Sequence, residues 1–154
     1  MKNTVTLMSE EDTANLATVI GRNLVGGECI EFVSDLGGGK TTFTRSIVSG
    51  AGSTDVVSSP TFTIMKRYSG PQLEFYHYDF YRLDEPGLVA EELAEVVDDK
   101  QAVTIIEWAE TVREVLPASR LKITLKQHQT SENARECELE YPDKMTYLLK
   151  GAML

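Results

Sequence analysis

Lys40 and Thr41, behind three consecutive glycines, are the residues whose types and spacing most plainly carry chemistry. The run Ser34-Asp35-Leu36-Gly37-Gly38-Gly39-Lys40-Thr41-Thr42 nearly fits the phosphate-loop pattern GxxxxGK[ST]. Successive backbone N–H groups in such a loop curve around phosphate oxygens, and glycines let the chain approach without Cβ clashes. In that role Lys40 reaches the β- and γ-phosphates and the Thr41 hydroxyl ligates Mg²⁺. The following helix start favours negative charge. Asp35 to Thr42 are the expected nucleotide-binding stretch. Serine at position 34 departs from the glycine of the pattern. If that residue needs a positive φ, serine costs roughly 1–2 kcal/mol; in a plain tight turn it costs nothing.

A phosphate loop needs a carboxylate at the end of another strand, near the metal or the attacking water. Asp79 closes the run Leu73 to Asp79, and Glu107 closes Ala102 to Glu107. The alternatives are a capping aspartate and a surface carboxylate beside Trp108. Ser58-Ser59-Pro60-Thr61 puts hydroxyls on a loop that either senses the γ-phosphate, as switch loops do, or is an ordinary polar turn. Arg82 either stabilises phosphate charge or pairs with nearby carboxylates, and with Trp108 it is the candidate for the nucleotide or partner surface. Trp108 is either a core aromatic or an anchor at the nucleotide or partner surface. No Asn-Lys-x-Asp motif is present to read guanine, so ATP is the expected nucleotide.

The elements that must position these residues are legible in outline. Ser9 followed by Glu10, Glu11 and Asp12 marks a capped helix start, with Leu16, Ile20 and Leu24 as its stripe. Gly26-Gly27 is its expected end. Cys29 to Val33 is a short strand, and Thr41 to Ser49 has helical spacing. Phe62 to Tyr68 and Leu73 to Asp79 are expected as a hairpin across Ser69-Gly70-Pro71. Pro86 to Val97 reads as a helix, and Ala102 to Glu107 as a strand buried on both faces. A short helix leads to Pro117. Leu121 to Lys126 and Glu136 to Tyr141 alternate as a second hairpin. The last dozen residues fit no single element.

With 154 residues, 42% hydrophobic and 25% charged, the chain is expected to form one globular domain, residues 1–154. Fifteen basic against 24 acidic residues give a net charge of −9, which opposes broad, salt-driven binding to nucleic-acid phosphates. No apolar run is long enough for a membrane span and no secretory signal is visible. Cys29 and Cys137 are far apart, outside any metal-ligand spacing, and Cys29 is expected to pack as a small hydrophobe. The cytoplasm is the expected compartment.

In their order, four pieces resemble the bacterial TsaE (YjeE) family of ATPases in tRNA threonylcarbamoyladenosine biosynthesis. They are Asp35 to Phe43, Ser59-Pro60-Thr61-Phe62-Thr63, His77-Tyr78-Asp79-Phe80-Tyr81-Arg82-Leu83 and Ile106-Glu107-Trp108. The resemblance runs from about residue 9 to 126 and leaves the C-terminal hairpin weakly matched. It implies an α/β, P-loop NTPase-like three-layer fold, a mixed sheet flanked by helices. It implies ATP and Mg²⁺, with Thr41 and Glu107 associated with the ion and Asp79 as the active-site aspartate. Lys40, Asp79 and Glu107 are then the catalytic set. It also implies two partners, TsaB and TsaD, in forming N6-threonylcarbamoyladenosine at A37 of tRNAs that read ANN codons. There, hydrolysis resets the complex, and tRNA is met only through it. Two other functions share Lys40, Thr41 and a strand-end carboxylate: a small-molecule kinase, and a nucleotide-sensing adaptor without turnover.

Overall fold

Runs of apolar residues without polar interruption form the centre of the molecule. The computed structural model describes residues 1–154, all of the chain. Cys29–Val33 (β2) and Ala102–Glu107 (β5) are buried nearly throughout, as strands covered on both faces must be. Around them lie Lys2–Leu7 (β1), Met65–Ser69 (β3), Glu74–Asp79 (β4), Leu121–Gln127 (β6) and Arg135–Glu140 (β7). The seven strands form one sheet in the order β1-β7-β6-β2-β5-β4-β3. β2, β4, β5 and β6 run parallel; β1, β3 and β7 pair antiparallel at the margins.

Alternate side chains divide the sheet into two faces. Ile30, Phe32, Phe75, Val103 and Ile105 pack under Glu10–Asn23 (α1) and Lys40–Gly50 (α2), together with the 3₁₀ segment Asp143–Leu149. Cys29, Tyr78, Phe80 and Ile106 pack against Gly87–Val97 (α3) and the 3₁₀ segment Ala109–Val115. The result is the three-layer α/β fold with a mixed sheet. Cys29 is the small buried hydrophobe its context implied; burial pushes its thiol up to about 11.

The local signals work as their chemistry dictates. Ser9 caps α1, its Oγ accepting the Asp12 N–H at 3.1 Å, while Asp12 accepts the Met8 N–H at 2.9 Å. α1 ends at Asn23, a few residues before the two glycines. α1 and α2 touch backbone to backbone. A Cβ on Gly21 would lie 2.1 Å from the Ile47 carbonyl oxygen, and one on Gly50 2.6 Å from that of Thr18.

The structure adds one strand and moves the start of another. β1 has no counterpart in the sequence reading: only Leu7 is fully buried, so its apolar alternation is thin, and pairing with the distant β7 specifies it. The strand expected from Phe62 starts at Met65, because the Thr63 and Ile64 amides bond back to the Pro60 carbonyl and hold residues 60–64 in a turn. The short helix expected before Pro117 is present as 3₁₀ turns over Ala109–Val115, and the last dozen residues, which fitted no single element, hold 3₁₀ turns over Asp143–Leu149.

Register places the chemistry. Asp79 pairs with Glu107, and Phe32 with Glu107, so β2, β4 and β5 end on one rim. Ligands bind at that rim in open parallel sheets, beside the strand where connections diverge.

Candidate nucleotide-binding site

β2 delivers the chain into residues 34–39, and α2 starts at Lys40. Gly37 and Gly39 hold φ of 74° and 95°, a region that suits glycine. Ser34 stays at negative φ, since Ile64 and Trp108 are the only non-glycine residues above zero. Serine is therefore harmless to the backbone there. Its side chain fills the space over Gly38, where a Cβ would lie 2.4 Å from the Ser34 Oγ. Gly39 caps α2 without a side chain, leaving the first amides of the helix available to an anion.

Lys40 is buried, with Nζ donating to Ser34 Oγ at 3.0 Å and to the Asp35 carbonyl at 3.1 Å. The ammonium lies 5.1 Å from the centre of the Trp108 ring, within cation–π range. Ser34 thus does what glycine could not: its hydroxyl accepts a hydrogen bond from the loop lysine.

Asp79 and Glu107 are both buried, at 4% and 3% exposure, so their carboxylates need partners. Asp79 Oδ1 accepts the Tyr81 N–H at 2.9 Å, and Oδ2 accepts the Thr61 hydroxyl at 2.8 Å. Because the single Thr61 proton goes to Asp79, Ser59 Oγ donates to Thr61 at 2.7 Å. Glu107 Oε1 lies 2.7 Å from His77 Nε2. The two non-glycine residues at positive φ flank this pair. Ile64, at 66°, accepts the Asp79 N–H through its carbonyl, and Trp108, at 57°, directly follows Glu107. A β-branched and a bulky residue there are strained, and such strain clusters at functional sites.

A cleft of about 310 Å³ opens between these groups. It is lined by Leu36, Gly37, Gly38, Gly39, Lys40, Thr41 and Thr42 from the loop and α2. Ser59, Thr61, Asp79, Glu107 and Trp108 close the other side. Three anticipated residues do not line it. Asp35 is exposed and contributes its carbonyl to Lys40. Pro60 is buried and accepts the turn amides. Arg82 is exposed and stacks on Phe62, 4.6 Å from its ring centre. On the other side of the loop a smaller cavity of about 80 Å³ lies between Glu10, Thr13, Gly39, Thr42, Asn133 and Arg135.

No cluster of three or more His, Cys, Asp or Glu side chains forms a complete metal cage. One hydroxyl and two carboxylates facing a phosphate loop suit Mg²⁺, which takes few protein ligands and completes its octahedron with phosphate oxygens and water.

Sequence reasoning gave no role to His77, Tyr68 or Lys66. His77 is fully buried on β4, Tyr68 Oη donates to the Ser58 carbonyl at 2.9 Å, and Lys66 Nζ donates to Ser58 Oγ. Burial pushes the Tyr68 phenol up, which keeps its proton in place as a donor. The available signal was a histidine inside an otherwise apolar strand, two residues before Asp79.

A glycine loop between a strand and a helix, a buried lysine and two strand-end carboxylates define a P-loop-type nucleotide-binding protein. Comparison with known proteins narrows the class. The family model for the threonylcarbamoyl adenosine biosynthesis protein TsaE matches residues 7–137, and the chain belongs to that family. The tRNA threonylcarbamoyladenosine biosynthesis protein TsaE of Bacillus subtilis is 38% identical over 122 residues, 77% of this chain and 74% of the relative. Its namesake from Rickettsia typhi is 32% identical over 139 residues, 88% of this chain and 92% of the relative. The crystal structure of Bacillus subtilis YdiB superposes with a TM-score of 0.78 at 30% identity, covering 97% of this chain and 93% of that one. No helix is long and apolar enough to cross a membrane.

Proposed function

We propose that residues 1–154 act as one ATPase domain that hydrolyses Mg-ATP in this cleft during formation of N6-threonylcarbamoyladenosine on tRNA. The observation that carries the reading is the register of Asp79 against Glu107, which sets both carboxylates opposite the glycine loop and Lys40.

The loop amides and the start of α2 bind the phosphates, and Lys40 neutralises charge that builds on the transferring group. Thr41, Asp79 and Glu107 would hold Mg²⁺, directly or through water. When bound there, the ion would supply charge stabilisation to the transferring phosphoryl group. Asp79 and Glu107 also orient the attacking water, and one of the two accepts its proton. Ser59 and Thr61 tie the 58–61 loop to Asp79, so the loop can register what occupies the cleft. Trp108 closes the site over Lys40. The cavity beyond Thr42 gives the nucleoside end of ATP room beside α1 and the β6–β7 turn.

The setting is the cytoplasm, and the partners are the TsaB and TsaD subunits, which hold the tRNA. A net charge of −9 suits a subunit that meets tRNA through others. Partners that complete a phosphoryl-transfer site raise turnover by about 10³-fold or more. ADP release is measured for the isolated chain, for TsaB–TsaD, and for the mixture with tRNA. The chain alone binds ATP and turns it over slowly; the mixture is much faster. Equal rates, or phosphate transfer to a metabolite in place of water, would replace this reading with a self-sufficient ATPase or a kinase. Binding without turnover in the complete mixture would leave an adaptor.

A further inference from the structure

We propose that His77 is a positioning residue for Glu107, and that with Tyr68 it links that carboxylate to the 58–61 loop. Its catalytic meaning rests on the ATPase reading, while its geometry stands without it. His77 and Asp79 lie two residues apart on β4, so they share a face of the sheet. Glu107 occupies the same face of β5, opposite Asp79, and the His77 ring reaches it diagonally. Both side chains are buried, and His77 Nε2 lies 2.7 Å from Glu107 Oε1. An ionised carboxylate only accepts, so Nε2 carries the proton and donates. His77 is the one side chain in the protein that hydrogen-bonds the Glu107 carboxylate.

The opposite ring nitrogen, Nδ1, faces Tyr68 Oη at 3.5 Å. Tyr68 Oη donates to the Ser58 carbonyl at 2.9 Å, with His77 Nδ1 as the longer, second acceptor of the same proton, and it accepts the Ser58 N–H at 3.3 Å. Lys66 holds the Ser58 hydroxyl as well. The loop is therefore fixed at Ser58 on the histidine side, and at Thr61 it touches Asp79. Each carboxylate of the rim has a hydrogen-bond donor, and both donors connect to one loop. A buried histidine could instead be packing alone. Packing needs only its volume, whereas positioning needs its donor at Nε2, and the two roles separate by substitution. Glutamine sets an N–H donor near the place of Nε2; leucine sets none.

The tautomer is measured first, in the metal-free protein, from the ring ¹⁵N shifts of His77. Protonated Nε2 is expected; a proton on Nδ1 alone overturns the proposal whether or not the protein is an ATPase. His77→Leu and His77→Gln are then compared for nucleotide affinity and for ADP release with partners and tRNA. Loss of a partner that orients a metal-associated ligand typically costs about 10-fold or more. His77→Leu should lose turnover to that extent with ADP affinity changed less than about twofold, and His77→Gln should recover most of it. Equal loss in both variants, or none in either, overturns the proposal. If His77→Leu does not fold, the glutamine variant and the tautomer decide it. Tyr68→Phe should shift the amide resonances of residues 58–61; unmoved resonances would remove the loop from the proposal. A wild-type protein that never turns over ATP sinks the ATPase reading and leaves the tautomer and loop shifts as the test of the geometry.

Discussion

The centre and one margin of the sheet are built by different rules. β2 and β5 are buried along nearly their whole length and run parallel. β1 and β7 alternate more and less covered positions, pair antiparallel, and carry exposed charge such as Lys2 and Glu136. Parallel strands covered by helices on both faces bring their carboxyl ends to one rim, and there the loop, Asp79 and Glu107 meet. The antiparallel margin contributes no side chain to the larger cleft. It covers the flank of the P-loop strand through β6 and packs its inner face, Leu125, Cys137 and Leu139, into the core. Chemistry and stability are thus separable along the sheet, and substitutions can test the separation.

The largest expected effect lies at the centre. Lys40→Ala should abolish productive ATP turnover while the fold persists, because Nζ bonds only to the loop, at Ser34 and Asp35, and faces the cleft. Circular dichroism and ADP release check both halves of the statement. Wild-type hydrolysis by the folded variant would remove the phosphate-loop assignment. Next come Asp79→Asn and Glu107→Gln. Both keep the side-chain volume, so binding of mant-ADP should hold, while turnover falls by about 10²-fold or more. A carboxylate whose variant turns over normally in the complete complex belongs to structure and not to chemistry.

Between the two regions stands the contact that seats α2. Gly21→Ala should destabilise the protein by about 1–3 kcal/mol, because the new methyl meets backbone and no flexible side chain can yield. Urea denaturation gives the number. A neutral result would mean that α1 and α2 can part without cost, and that the loop ahead of α2 is not seated by this contact.

The same division explains what the sequence shows in advance. Lys40, Thr41, Asp79 and Glu107 are legible because each sits where a strand or turn ends, marked by glycine or by a polar residue closing an apolar run. β2 and β5 read correctly for the same reason. β1 is invisible, since a marginal strand with one fully buried residue owes its state to a partner more than a hundred positions away. The turn at residues 60–64 is hidden because Phe62 and Ile64 read as strand formers, while the Pro60 carbonyl accepts the Thr63 and Ile64 amides. The roles of His77 and Tyr68 are hidden because hydrogen bonds between strands depend on register, and register is not written in any local pattern. Arg82 shows another limit: it is a cation near a motif, and its exposed place over the Phe62 ring is written in no local pattern.

The smallest expected effect lies at the margin. Lys2 Nζ and Glu138 Oε1 are 3.0 Å apart across β1 and β7. The hydrogen bond from Lys2 holds the Glu138 carboxyl below its ordinary range, and the same bond holds the Lys2 ammonium above its own. A depressed carboxylate adds stability above its unfolded pKa and loses it as pH falls through the folded value. A raised ammonium adds stability below its unfolded pKa and loses it as pH rises through the folded value. The pair therefore helps most near neutrality and fades on both sides. The lysine side chain is 59% exposed, so water and salt screen the attraction. Glu138→Gln should lower the urea midpoint at pH 7 by less than Gly21→Ala does. The difference from wild type should shrink in strong acid and again in strong base, and it should vanish in molar salt. ADP release should not change, because Glu138 lines neither cavity beside the phosphate loop. A loss of turnover in a folded Glu138→Gln protein would break the separation between margin and centre, and β7 would then act on the larger cleft as well as lining the smaller cavity through Arg135.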